Sequence, residues 1–158
     1  MKKLILVAAL IAGSFSMNAQ FYVGVNAGVP GGDASSITSF TLGVDATYML
    51  SAEEDFNYGL SAGYLNFFGK TVAGFKVPNV SFIPLAFSGR YNTSEKFMIG
   101  ADVGYAVGAS SGTDGGFYYR PMVGYSIGEN TTLSASYSGI SVNSANVSTF
   151  GLGIMFGI

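Results

Sequence analysis

Apolar side chains fall on every second residue along most of this chain, as at Phe97, Ile99, Ala101, Val103, Tyr105 and Val107. Met98, Gly100, Asp102, Gly104, Ala106 and Gly108 fill the positions between them. A period of two belongs to a β-strand, whose side chains point alternately to opposite faces of the sheet. A sheet with one continuous apolar face and one face of glycine and charge is inside out for a protein surrounded by water. Its apolar face is expected to meet lipid, where an open sheet edge would find no hydrogen-bond partner, so the sheet must close on itself. The pattern predicts an all-β fold, an eight-stranded antiparallel up-and-down transmembrane β-barrel of the bacterial outer membrane.

The first residues read differently. Lys2 and Lys3 precede a short apolar run from Leu4 to Ala12, and small or polar residues follow at Ser16, Met17, Asn18 and Ala19. This is the layout of a secretory signal peptide. The apolar run is only about half the roughly 20 residues that a membrane-spanning helix requires. Residues 1–19 are therefore expected to be cleaved, after Ala19 or one residue later after Gln20, leaving a single barrel domain over residues 20–158. Without Lys2 and Lys3, five basic residues remain against nine acidic ones, a net charge of −4. That balance argues against a nucleic-acid partner.

Alternation places strands near 21–29, 39–50, 56–67, 80–91, 96–108, 117–127, 131–140 and 147–158. Links near Ser51 to Asp55, Asn92 to Glu95 and Gly128 to Asn130 are tight, whereas Pro30 to Ile37, Phe68 to Asn79, Ala109 to Gly116 and Ser141 to Ala145 are longer. Short periplasmic turns and longer outer loops are the expected asymmetry of such barrels, and an even strand number puts both termini on the periplasmic side. Tyr48, Phe56, Tyr91, Phe97, Tyr125 and Phe156 fall near strand ends on the turn side, the place of an aromatic girdle at the headgroups. Pro84 and Pro121 lie inside strands and cannot donate to a ladder, so each is expected to mark a bulge or a locally open pair.

Glycines select between a membrane barrel and a soluble lipocalin-like barrel, which also has eight strands. Gly24, Gly28, Gly43, Gly59, Gly63, Gly100, Gly104, Gly124, Gly151, Gly153 and Gly157 mostly share the parity of the charged residues, as a crowded small interior requires; Gly89 and Gly139 break the rule and are expected to face lipid. Four charged residues lie well inside the strands, Asp45, Arg90, Asp102 and Arg120, all of inward parity. An Arg on the lipid face at mid-depth costs roughly 2–4 kcal/mol, so the opposite register is disfavoured. Two acids and two bases sum to zero, which a narrow dry lumen needs. With the hairpin centred near Ser111 or Gly112, Arg120 is expected opposite Gly104 and diagonal to Asp102, bonding that carboxylate. Arg90 and Asp45 would complete a network across the lumen, with Tyr118, Ser61, Ser134 and Ser136 as neutral partners.

The composition narrows the chemistry. There is no cysteine for a disulfide or thiolate site and no histidine to act as base or metal ligand. A serine without a base is a poor nucleophile, so catalysis is not expected. The glycine-rich strings Val29 to Asp33 and Ser110 to Gly116 lack the lysine, helix and spacing of a phosphate loop. Asp33 and Asp114 supply one acid per loop, too few for a dedicated calcium site. No metal or cofactor is expected. Lys70 and Lys76 in the longest loop are positioned either to pair with lipopolysaccharide phosphates or to serve as ordinary loop charges.

Three segments carry a family resemblance: Phe82-Ile83-Pro84-Leu85 through Arg90-Tyr91, Arg120-Pro121 through Gly124-Tyr125, and the alternating close from Phe150 to Ile158. Together with the eight-strand layout they resemble the porin-family outer membrane β-barrel domain of the OmpA/OmpX-like superfamily. The final strand resembles the signal read by the outer-membrane insertion machinery, although it ends in Ile158 where an aromatic is usual, with Phe156 the nearest ring. The resemblance implies an integral outer-membrane protein, monomeric, in contact with membrane lipid and lipopolysaccharide. Two functional expectations stand: a structural or surface-interaction barrel plugged by its Asp/Arg network, or a narrow pore for ions or very small solutes.

Overall fold

The computed structural model describes residues 20–50, 55–143 and 145–158. The signal peptide expected over residues 1–19 lies outside the described residues. Among the described residues ten strands form, β1 (Gln20–Gly32), β2 (Thr38–Met49), β3 (Phe56–Gly69), β4 (Thr71–Val72), β5 (Phe75–Lys76), β6 (Val80–Asn92), β7 (Phe97–Gly108), β8 (Gly116–Gly128), β9 (Thr131–Val142) and β10 (Ala145–Gly157). Eight of them close an antiparallel barrel in the order β1-β10-β9-β8-β7-β6-β3-β2. Closure comes from pairing the first strand with the last, Tyr22 against Gly157 through Gly32 against Val147. Both ends of the barrel chain therefore emerge at the short-turn end.

At the long-loop end, β1 and β3 extend beyond the expected boundaries to Gly32 and Gly69. A 3-10 turn over Asp33–Ser36 folds back between β1 and β2, held by Thr38 Oγ1 donating to Ala34 O at 2.6 Å and by Asn146 N donating to Asp33 Oδ2 at 2.8 Å. The longest loop is not wholly irregular: β4 and β5 form a two-residue hairpin around Ala73 (φ 50°) and Gly74 (φ 85°). Positive φ at both central positions is what a tight hairpin turn matching the strand twist requires.

The prolines open the ladder without a bulge. Pro84 pairs in register with Ala106 on β7, but on the β3 side pairing stops at Ala62–Leu85 and resumes unshifted at Leu65–Phe82. Pro121 does the same, paired with Ala101 on β7 and open toward β9 between Tyr119–Gly139 and Met122–Ser136. Register shifts fall elsewhere, between Thr38 and Phe40 and between Ser126 and Gly128. A missing N–H removes one bond but not a residue, so the count across the ladder is preserved.

The outer surface is a continuous apolar belt; Val44, Leu60, Leu85, Phe87, Val103, Val123, Leu133 and Leu152 are all exposed. This inverted arrangement is that of a membrane-spanning barrel. Phe56 pairs with Tyr91 and Phe97 with Tyr125, and the Phe97 and Tyr125 rings meet edge to face at 4.9 Å, in the expected turn-side girdle. A second aromatic band rims the loop end, with Phe40 stacked on Phe68 at 4.3 Å and Tyr119, Tyr137 and Phe150 in succession. Gly139 faces outward beneath the Tyr119 ring, which covers the bare backbone.

Candidate functional site

The interior of the barrel is layered along its length. Toward the loop end, Phe67, Phe82 and Ile140 are fully buried and pack with Leu65, Ala86, Ala106 and Tyr118 beneath Ala34 of the 3-10 turn. Phe67 and Phe82 meet edge to face at 6.0 Å. These residues have inward parity in strands whose outward faces are also apolar. Leu65 and Phe67 share the parity of Gly63, and Phe82 and Ala86 that of Arg90, but residue type gives no sign that they gather into one packed layer.

Next comes the charged layer, where the structure brings together Asp45, Arg90, Asp102 and Arg120. Arg120 Nε donates to Asp102 Oδ2 at 2.7 Å, and Nη2 lies 2.6 Å from the same oxygen. Its Nη1 reaches across the bore to Asp45 Oδ1 at 2.8 Å. Arg90 Nη1 lies 2.7 Å from Asp102 Oδ1. Both Nη1 hydrogens are directed at backbone carbonyls, Gly89 O at 2.9 Å and Ala101 O at 3.3 Å. Asp102 Oδ1 therefore receives charge contact rather than an aligned hydrogen bond. Asp102 has no exposed surface, and the other three side chains are at most 10% exposed. Removal of one member would leave a buried charge without compensation.

The register corrects one expectation. Asp102 stands directly opposite Arg120, and Gly104 opposite Tyr118. Ala106 pairs with Gly116, which centres the hairpin on Ser111; an axis one residue later would have produced the diagonal arrangement. The glycines that make room are others. Gly24 and Gly63 flank Asp45, and a Cβ on Gly24 would lie 2.9 Å from Asp45 Oδ2. Gly100 flanks Arg90, where a Cβ would lie 2.6 Å from Arg90 Cδ.

Among the neutral residues, Tyr118 and Ser61 share with Asp45 and Arg120 the lining of a space of only about 20 Å³. Ser134 and Ser136 stand instead over Gly153 and Gly151. Asn26 is absent from the partners expected on sequence grounds, yet its Nδ2 donates to Asp45 Oδ1 at 3.1 Å. Its signal is inward parity beside two glycines. Outside the bore, Lys70 Nζ donates to Ser35 O at 3.0 Å, and Asp114 Oδ2 accepts from Asn143 Nδ2 at 3.2 Å. Among the described residues no group of three acidic side chains gathers around a metal position.

At the turn end the lumen widens to a cavity of about 550 Å³ with Arg90 among its lining residues. Ser88, the residue opposite Asp102, is fully buried, and that carboxylate is engaged by two guanidinium groups. This serine is closed to a lipid ester.

The crystal structure of Ail, the attachment invasion locus protein of Yersinia pestis, is similar, with a TM-score of 0.62 at 14% identity over 89% of this chain and 97% of that one. The N-terminal β-barrel domain of Pseudomonas aeruginosa OprF aligns with a TM-score of 0.56 at 16% identity, covering 89% and 100% of the two chains. Neisserial surface protein A aligns with a TM-score of 0.53 at 15% identity, covering 89% and 99%. The chain thus has the fold of small outer-membrane β-barrels. No curated protein sequence matches it. The family assignment differs in name from the porin-family resemblance: the family model for the acyloxyacyl hydrolase C-terminal domain matches residues 5–158, and the chain belongs to that family.

Proposed function

We propose that this protein is a non-catalytic outer-membrane barrel of structural or surface-interaction type, with its short turns and termini in the periplasm, its long loops outside and its lumen plugged. The observation that carries the reading is the continuity of the filling. The apolar cluster under the 3-10 turn abuts Tyr118, and Arg120 beyond it ties Asp45 to Asp102 across the bore. The space left beside Arg120, about 20 Å³, admits little more than one water. Eight strands leave an interior just wide enough for side chains to fill. Lipid and lipopolysaccharide are the proposed surroundings and the outer-membrane insertion machinery the proposed partner in assembly, with the barrel acting as a monomer.

The family name favours a second reading, hydrolysis of an acyloxyacyl ester. Ester hydrolysis by a serine requires a base positioned to take its proton. The chain has no histidine, and its buried serine beside a carboxylate, Ser88, is inaccessible to lipid. These features support a member of the family that has kept the barrel without the reaction.

Two assays test the proposal. Single-channel recording in a planar bilayer is expected to find the wild type silent, and Arg120→Ala silent too because the apolar cluster around Phe67, Phe82 and Ile140 still fills the bore; steady wild-type current would overturn the plug in favour of the narrow pore. Incubation with an acyloxyacyl lipid is expected to release no fatty acid above a heat-killed control, and turnover would restore the enzymatic reading.

A further inference from the structure

The methionines of the barrel are segregated. Residues 20–158 contain four, Met49, Met98, Met122 and Met155, and all four have inward parity. Among the described residues no exposed large apolar side chain is a methionine; Val, Leu, Ile, Phe and Tyr hold those positions. Nor does methionine enter the apolar cluster at the loop end, which is built of Phe, Leu, Ile, Ala and Tyr with valines around it. Met122 is buried in the wall two residues after Arg120. The other three, Met49, Met98 and Met155, line the cavity of about 550 Å³ at the turn end.

Their placement is that of ligands around one point. In the closed barrel β3 and β6 separate Met49 from Met98, β8 and β9 separate Met98 from Met155, and β1 separates Met155 from Met49. Three thioether side chains thus stand at nearly even intervals around one space. An eight-stranded bore is narrow enough for side chains to meet across it. Methionine also serves as an adaptable filler of irregular cores, which accounts for Met122. Filling does not account for three methionines beside open space. Met98 is half-buried, and Met49 and Met155 are 3% and 8% exposed. Three rotatable bonds let each sulfur swing toward the axis, where the cavity leaves room.

The donor set selects the ion. Thioether sulfur is a soft, uncharged donor that favours copper(I), whereas zinc takes imidazole, thiolate or carboxylate and calcium takes a cage of oxygens. The chain has neither histidine nor cysteine to compete. Charge favours entry of a cation. Asp55, Glu95 and Glu129 stand among the lining residues, and Arg90, the one base there, is neutralised by Asp102 at 2.7 Å. Carboxylates at the mouth raise the local concentration of a monocation, and the sulfur atoms deeper in hold it.

We propose that Met49, Met98 and Met155 form a three-thioether site for a soft monovalent cation, copper(I), at the turn end of the lumen. The site binds the ion without changing its oxidation state. It lies on one side of the charged layer and is independent of whether the lumen conducts.

Methionine methyl NMR of the membrane-produced protein in lipid nanodiscs tests the assignment, with silver(I) in chloride-free buffer as the redox-inert probe. Silver(I) is expected to shift the Met49, Met98 and Met155 signals together, saturating at one ion per barrel, and to leave Met122 in place. Met49→Leu, Met98→Leu and Met155→Leu keep side-chain volume, an exchange that cores tolerate well. Each is expected to weaken silver(I) binding by about tenfold or more, and Met122→Leu to leave it unchanged. Folding is checked by heat-dependent gel mobility, and the wild-type methyl pattern decides the matter for any variant that fails to fold. Absence of saturation by about 100 μM silver(I) overturns the proposal. So does an equal response from all four methionines, the sign of adventitious binding, or an equal response to zinc(II). A response confined to one or two of the three overturns the three-ligand site. Copper(I), supplied anaerobically as its acetonitrile complex, is expected to give the same pattern, and its failure to do so overturns copper(I) as the ion.

Discussion

Replacing Arg120 by methionine keeps most of the side-chain volume and removes the charge that two carboxylates share. Asp102, fully buried, would retain the off-axis contact with Arg90 and its cross-strand neighbour Ser88, and Asp45 the Asn26 amide. Breaking a buried ion pair from one side costs about 3–5 kcal/mol, because the remaining charge is left in a low-dielectric site. At an m-value of about 2 kcal/mol/M, a loss of about 4 kcal/mol lowers the urea midpoint by roughly 2 M. The chain has no tryptophan, so the transition is read by far-ultraviolet circular dichroism and by gel mobility of unheated samples. The double variant Arg120→Met/Asp45→Asn is expected to lose less than the sum of its singles, with a coupling of about 1–3 kcal/mol, since the second change removes the charge stranded by the first. A midpoint drop below about 0.5 M for Arg120→Met, or strict additivity in the cycle, would refute the argument that this network is held by mutual charge compensation.

Other substitutions probe the remaining layers. Phe67→Ala, which empties the centre of the apolar cluster, is expected to cost about 3–5 kcal/mol in the same urea titration. On the lipid face at mid-strand, Leu85→Arg is expected to cost roughly 2–4 kcal/mol, measured as a reduced folded fraction in bilayers. A Cβ at Gly104 would run into Leu85 O, so Gly104→Ala is expected to lose about 1–3 kcal/mol. At Gly128 a Cβ meets nothing closer than 3.9 Å, and Gly128→Ala is expected to leave the midpoint unchanged. Mass spectrometry of the purified protein is expected to find an N-terminus at Gln20 or Phe21, and an intact Met1 would remove the case for export.

Much of the architecture is legible in the order of the amino acids. Strand number, the inward parity of Asp45, Arg90, Asp102 and Arg120, and the outward placement of Gly139 follow from one rule: a slip of one residue exchanges the two faces of a strand. Loop detail is less legible. The extensions of β1 and β3 and the 3-10 turn depend on Gly32, whose φ of 58° reverses the chain, and on contacts with Asn146 and Thr38 that are distant in sequence or invisible to periodicity. Phe67 and Phe82 are hard to place because large apolar residues suit both lipid and a dry lumen, so hydrophobicity does not separate their face from that of Leu60 or Leu85.

What the amino-acid order determined by itself is the closed barrel and the side of its wall taken by the glycines and charges, because alternation and the absence of partners in hydrocarbon leave no other way to satisfy the backbone. Pairing within the lumen was decided only in three dimensions. Whether Arg120 meets Asp102 directly or diagonally turned on a single residue in the hairpin axis at Ser111. Its bond to Asp45 joins residues 75 apart on strands that are not neighbours in the sheet. That contact exists because closure of the sheet folds opposite walls to within a side chain's reach, a distance that no periodicity along the chain encodes.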